Sequence, residues 1–207
     1  MSIKHCANLL YNNDKDKFLT LSFVDVEVRK KLLPLYAFYI EISKIPWMVK
    51  EKELAEIRYM WWFEKINKIY SSDEKAEHPI LFSLSKVIKE NNLPLEKFLK
   101  IIETRKLDLQ KKPYKNFNDQ INYFFNSSGS IMELAYNCNS KKKESGLICA
   151  KNFGYLQGVS TLISNLPILL NTGKEAIFFE ENLKKGLQDL VKYSLNVYQE
   201  NVINFSI

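Results

Sequence analysis

Apolar side chains recur every three to four residues along almost the whole chain, and little interrupts them. Val28, Leu32, Leu35, Tyr39 and Ile42 share one helix face, and Leu95, Phe98, Leu99 and Ile102 share another. Six glycines and six prolines in 207 residues leave few places to stop a helix. No alternation of period two persists, and neither an internal repeat nor a low-complexity linker is visible. The expectation is an all-α bundle, one domain over residues 1–207. A chain of this length buries most of the apolar surface of its unfolded form without disulfide or metal support.

The stops divide this pattern. A first helix around Leu9 and Leu10 is interrupted at Asp14-Lys15-Asp16-Lys17. Asp25 is placed to cap a second helix, with Pro34 kinking it and Pro46 ending it. Glu51–Tyr70 reads as one helix with Leu54, Ile57, Trp61, Lys65 and Ile69 along one line. Pro79 and Pro94 open the next two helices, and residues 111–116 form a loop. Phe117–Asn137 is helical in period around Gly129, Glu144–Leu170 is a long apolar helix, and Lys174–Asn201 is the last.

Three cysteines, Cys6, Cys138 and Cys149, lack the count and spacing of a disulfide framework or zinc site and read as buried reduced thiols. The net charge of +6 is carried mostly by lysine, with a tight run at Lys141–Lys143. Only Arg29, Arg58 and Arg105 are arginines, which speaks against nucleic acid and leaves a solvated surface or an anionic membrane surface. No uninterrupted run of 18 apolar residues is present, and no membrane-spanning helix and no signal or transit segment are expected. The expected location is cytoplasmic, with peripheral contact to the inner membrane.

Several segments, in order, resemble the squalene/phytoene synthase family. They are His5-Cys6-Ala7 through Asp16-Lys17-Phe18-Leu19, the "LYAF" of Leu35-Tyr36-Ala37-Phe38, and the "EIR..WW" of Glu56-Ile57-Arg58 with Trp61-Trp62. His78-Pro79, Arg105 to Leu109 and Ser128-Gly129 follow. The resemblance implies an isoprenoid-synthase bundle around a central cavity, where two prenyl diphosphates join head to head. It also implies two aspartate-rich motifs on facing helices holding magnesium, a hard ion that takes oxygen ligands and offsets the charge of the leaving diphosphate.

This chain departs from that pattern where the chemistry resides. An arginine is expected where Ile40 stands, and aspartates where Ser43, Lys44 and Trp47 stand. In the second motif, Thr161, Ser164, Asn165 and Leu169 occupy the places of Asn, Arg and two Asp. Thr161, Asn165 and Leu169 are four apart and share a helix face, so the geometry is kept and the ligands are lost. Trp47 and Leu169 add apolar bulk, which predicts a narrowed, apolar cavity mouth and a fold that Trp47→Asp would destabilise. Tyr36, Gly129, Ala150 and Phe153 match cavity-lining positions. Trp61-Trp62 reads as one core and one half-exposed residue, with ligand or membrane contact as the alternative.

The degenerate pattern resembles the family branch of complex I assembly factors, which also shows a "QG" and a later Pro, here Gln157-Gly158 and Pro167. Further helices usual in the family after the second motif reduce here to one. Three functions stay open. One is a non-catalytic binding or assembly factor near a respiratory membrane, with a protein client. The second is a prenyl-diphosphate transferase with displaced metal ligands, for which alone magnesium would be a cofactor. The third is a carrier holding a prenyl or lipid chain in the same cavity.

Overall fold

The computed structural model describes residues 2–49, 51–72, 77–138 and 144–205. The order is α1 (Ser2–Asn13), α2 (Lys15–Thr20), α3 (Val26–Met48), α4 (Lys52–Ser71), α5 (Pro79–Asn91) and α6 (Leu95–Arg105). Then come α7 (Phe117–Phe124), α8 (Ser130–Asn137), α9 (Glu144–Asn171) and α10 (Leu183–Phe205). No strand occurs among the described residues, as the periodicity predicts.

Local chemistry sets most boundaries. Asp14 separates α1 from α2 and caps the latter, its carboxylate accepting from Lys17 N–H at 2.9 Å. Asn92, in the left-handed region at φ 49°, ends α5. Asn116 accepts from Asp119 N–H at 2.8 Å and starts α7. Asp25 stands at the N-cap of α3 without a capping hydrogen bond from its side chain. Pro46 does not end α3, which runs two residues further to Met48, and Pro34 is accommodated inside the same helix. A five-residue π turn, 125–129, joins α7 to α8, so Phe117–Asn137 is helical but not uniformly wound.

α3 is the central element of the larger core. Leu35, Phe38 and Ile42 pack there with Trp62 and Ile66 of α4, Leu84 of α5 and Phe98 of α6. Phe38 meets Trp62 and Phe98 edge to face, at 5.6 and 5.4 Å between centroids. A smaller cluster joins α7, α9 and α10 through Phe124, Tyr155, Leu190 and Val197.

Two elements differ from the sequence-based expectation. In α4 the buried line is Ala55, Tyr59, Trp62, Ile66 and Ile69, while Leu54, Ile57 and Trp61 face outward. The helix is apolar on both faces, so periodicity alone does not select the inner one. The last helix starts at Leu183 rather than Lys174. Residues 174–182 form a strap instead, with Ala176 and Ile177 buried. Buried Gln120 clamps it, its Nε2 donating to Ala176 O at 3.4 Å and its Oε1 accepting from Phe178 N–H at 3.3 Å. Asn182 then caps α10 by accepting from Lys185 N–H at 3.0 Å.

Ser145–Asn171 is long and apolar enough to cross a membrane by length and composition, and only 22% of its most apolar window is buried. Counting uninterrupted apolar residues missed it because Ser, Thr, Asn and Gln break the run while adding no charge. Lys141–Lys143 lie outside the described residues.

Candidate functional site

A cavity of about 410 Å³ opens between α3, α9 and the α7–α8 segment. α1, α2 and the strap close its sides, contributing Leu10, Asp14, Lys17, Lys174 and Ala176 among others. The structure brings Tyr36, Ile40, Ser43, Lys44 and Trp47 of α3 to this cavity, together with Thr161, Asn165 and Leu169 of α9. The two helices thus face each other across it.

Three of the polar side chains at these positions, those of Ser43, Thr161 and Asn165, are turned back on their own helices. Ser43 Oγ donates to Tyr39 O at 2.7 Å, Thr161 Oγ1 to Gln157 O at 2.9 Å, and Asn165 Nδ2 to Thr161 O at 2.8 Å. Leu169 is buried, whereas Trp47 is 60% exposed on the rim. The mouth is therefore not plugged by Trp47, because the indole lies outward past Pro46 at the end of α3. Four of the expected positions are not among the lining residues. Ser164 is exposed on α9. Phe153 is 39% exposed. Ala150 is half-buried on α9, and Gly129 is taken up by packing between α9 and the π turn, where a Cβ on it would lie 3.2 Å from Lys151 O.

The cavity also holds an ionic network. Arg105 Nη2 lies 3.1 Å from Asp108 Oδ2, and Arg105 Nη1 donates to Tyr123 Oη. Tyr123 in turn donates to Asp108 Oδ1 at 2.8 Å. Lys174 Nζ donates to Asp108 O at 2.5 Å and sits 4.0 Å from Oδ1. The guanidinium stacks near the rings of Tyr39 and Tyr123, 5.9 and 5.8 Å from their centroids. Tyr59 Oη donates to Arg105 O at 2.9 Å. Burial works against the Arg105 charge, but Asp108 together with Tyr123, Tyr39 and Tyr59 outweighs it and holds the guanidinium firmly protonated. Burial pushes the Lys174 amine down, Asp108 opposing and Arg105 assisting. Sequence reading reached Arg105 to Leu109 only through resemblance. Its network was out of reach because Tyr123 and Lys174 arrive from other segments.

Magnesium does not fit this donor set. The lining carboxylates are Asp14 and Asp108, and each already faces a cation, Lys17 at 3.3 Å and Arg105 at 3.1 Å. Among the described residues no group of three or more His, Cys, Asp or Glu is placed to hold a metal ion.

A second hollow of about 220 Å³ is lined by residues including Glu41, Arg58, Trp61, Trp62 and His78. Trp62 is 4% and Trp61 37% exposed, one core and one half-exposed ring. His78 packs edge-on against both, 5.5 Å from Trp61 and 5.4 Å from Trp62, and burial lowers its pKa against the pull of Glu41. The three cysteines are buried and form no disulfide, and burial pushes the Cys6 thiol up to about 11.

Comparison with known proteins agrees with the geometry. The squalene/phytoene synthase family model matches residues 10–187. A Homo sapiens protein named NADH dehydrogenase (ubiquinone) complex I, assembly factor 6 is 27% identical over 201 residues, 90% of this chain and 60% of that protein. The Bos taurus protein of the same name is 28% identical over 164 residues, 79% of this chain and 49% of that one. The chain thus spans about half the length of these relatives. The crystal structure of squalene synthase HpnC from Alicyclobacillus acidocaldarius superposes with a TM-score of 0.80 at 16% identity, covering 99% of this chain and 83% of that one.

Proposed function

We propose that this chain, which belongs to the squalene/phytoene synthase family, is a non-catalytic binding or assembly factor that works beside a respiratory membrane. The observation that carries the reading is the pair of facing motif positions. Ser43, Lys44 and Trp47 on α3 meet Thr161, Asn165 and Leu169 on α9 across a cavity where the family's reaction needs carboxylates. The hydroxyls and amide there are spent on their own helices, and the nearest carboxylates are neutralised by Lys17 and Arg105. The similarity to proteins named as complex I assembly factor 6 supports a protein client in a respiratory assembly.

The deciding experiment incubates the purified protein with farnesyl or geranylgeranyl diphosphate and magnesium and follows diphosphate release. No release above a protein-free control is expected. Release that a chelator abolishes would establish the transferase reading instead. Affinity capture with the tagged protein, expressed in cells lacking the untagged gene, should return respiratory-complex subunits, and capture unaffected by disruption of that complex would remove the assembly role.

A further inference from the structure

We propose that the corner where α3 meets α4 docks a protein client, which sets one apolar side chain into the second hollow and brings a cation to Glu41 and a carboxylate to Arg58. The proposal deepens the assembly reading and rests on it in one respect, that the client belongs to a respiratory assembly.

The first argument is the apolar surface around the hollow, which packing within the chain does not explain. Leu54, Ile57, Arg58 and Trp61 follow one another at spacings of three and four, so they share one face of α4. Ile57 is 62% exposed, and Leu54 and Met48 are exposed as well, Met48 lining the hollow from the end of α3. A partner that covers these side chains removes apolar surface from water. The hollow itself, about 220 Å³, is smaller than the roughly 300–1,000 Å³ of ordinary small-molecule sites, and suits one side chain better than a free ligand. Its wall is held in place. Trp61 packs edge to face on Trp62 at 5.2 Å and on His78 at 5.5 Å, and Lys65 lies over its ring at 5.7 Å. A fixed, half-exposed indole beside a pocket makes an interface anchor, because little side-chain freedom is lost on binding.

The second argument is charge, and it selects the kind of partner. Glu41 of α3 and Arg58 of α4 both line the hollow, and neither makes a hydrogen bond or an ion pair among the described residues. Opposite charges on one small hollow that do not pair with each other each keep a contact to offer. A protein surface supplies both signs on either side of an apolar side chain. An anionic lipid surface draws instead on a cationic surplus. The described residues of this corner hold none, since exposed Glu51, Glu53 and Glu56 at the start of α4 outnumber Lys52, and Glu41 offsets Arg58. The net charge of +6 is carried elsewhere on the chain.

The test places photoreactive benzoylphenylalanine at Ile57, or at exposed Leu195 on α10 as a control, in the full chain expressed in cells lacking the untagged gene. Irradiation should join position 57 to one respiratory-complex subunit, identified by mass spectrometry, and position 195 should not reach that subunit. Arg58→Glu and Glu41→Lys should each lower the yield by about tenfold, and Arg58→Lys should keep it, thermal melts confirming that all three are folded. Yield unchanged by both charge reversals, equal yield from position 195, or a link only to a second copy of this chain overturns the proposal. So does binding to phosphatidylcholine–cardiolipin vesicles that Trp61→Glu abolishes, with no protein joined at position 57. A charge-sensitive link to a protein outside any respiratory complex keeps the docking corner and removes the respiratory reading. No link from a protein whose affinity capture still returns respiratory subunits removes the corner and leaves that reading standing.

Discussion

Arg105 brings a full charge into the interior, and what keeps it there is the fork of contacts to Asp108 and Tyr123. Removing one partner strands the other, so Arg105→Met should cost about 3–5 kcal/mol in urea unfolding, and adding Asp108→Leu should return part of it. A loss below about 1 kcal/mol would mean that water already screens the pair. His78 makes a different prediction. Its folded pKa lies below its unfolded value because burial disfavours the imidazolium. Above pH of about 6.5 both states are neutral, and as pH falls through that value the unfolded chain takes up the proton first. Stability should therefore decline from pH 7 toward the lower folded pKa, and His78→Gln should flatten that part of a melting curve. Trp47→Asp, by contrast, should shift the melting point only slightly, because the indole is already mostly in water. Resemblance to the family, with helical spacing to align Thr161, Asn165 and Leu169, was enough to gather Ser43, Trp47, Thr161, Asn165 and Leu169 at one site. It could not show that Trp47 turns outward, since a helix face fixes direction from the axis and not distance from solvent.

Among the helices, α9 shows most plainly what its sequence is for. Gly154 and Gly158 sit one turn apart against the π turn. A Cβ at Gly154 would collide with the Ser128 carbonyl oxygen and come within 2.8 Å of Gly129 Cα, both backbone atoms that cannot swing away. Gly154→Ala should gain about 1 kcal/mol of helix propensity and lose more than that to overpacking, typically about 1–3 kcal/mol. A variant more stable than the parent in chemical denaturation would show that α9 is free to shift outward. Existence and order of the long helices were legible because their stops are chemical, as at Asp14, Asn92 and Asn116. The α4 face was not, since Leu54, Ile57 and Trp61 outside compete with Tyr59, Trp62 and Ile66 inside. The strap at 174–182 was not legible either, because what holds it extended is Gln120, more than fifty residues away.

For the molecule as a whole, large apolar side chains remain outside. Ile148, Ile163, Ile168 and Leu170 of α9 are exposed, and so are Val191, Leu195, Tyr198 and Val202 of α10. Surfaces of this kind drive association in water. Ile168→Lys combined with Leu195→Lys should reduce concentration-dependent light scattering while leaving the melting point nearly unchanged. A drop in melting point of several degrees would place these residues in a core. The all-helical class followed from periodicity, which is a property of the chain alone. How much of α9 and α10 is covered is a property of what lies beside them, and no pattern within those helices encodes it.

The π turn at 125–129 changes how any insertion or deletion in this region is to be understood. A π turn fits one extra residue into one turn, so the helix after it keeps the phase of a regular coil one residue shorter. Deleting a single residue between Phe125 and Gly129 would let α7 and α8 run on as one regular coil, with Leu134 still in the larger core and Glu133 still beside Lys97, its partner at 2.8 Å. Straightening the turn at unchanged length would instead rotate α8 by about 100° and take both side chains off their partners. Length and winding at these five positions thus set the phase of α8 together. A relative one residue shorter there keeps the same inward side chains if it is wound as α throughout.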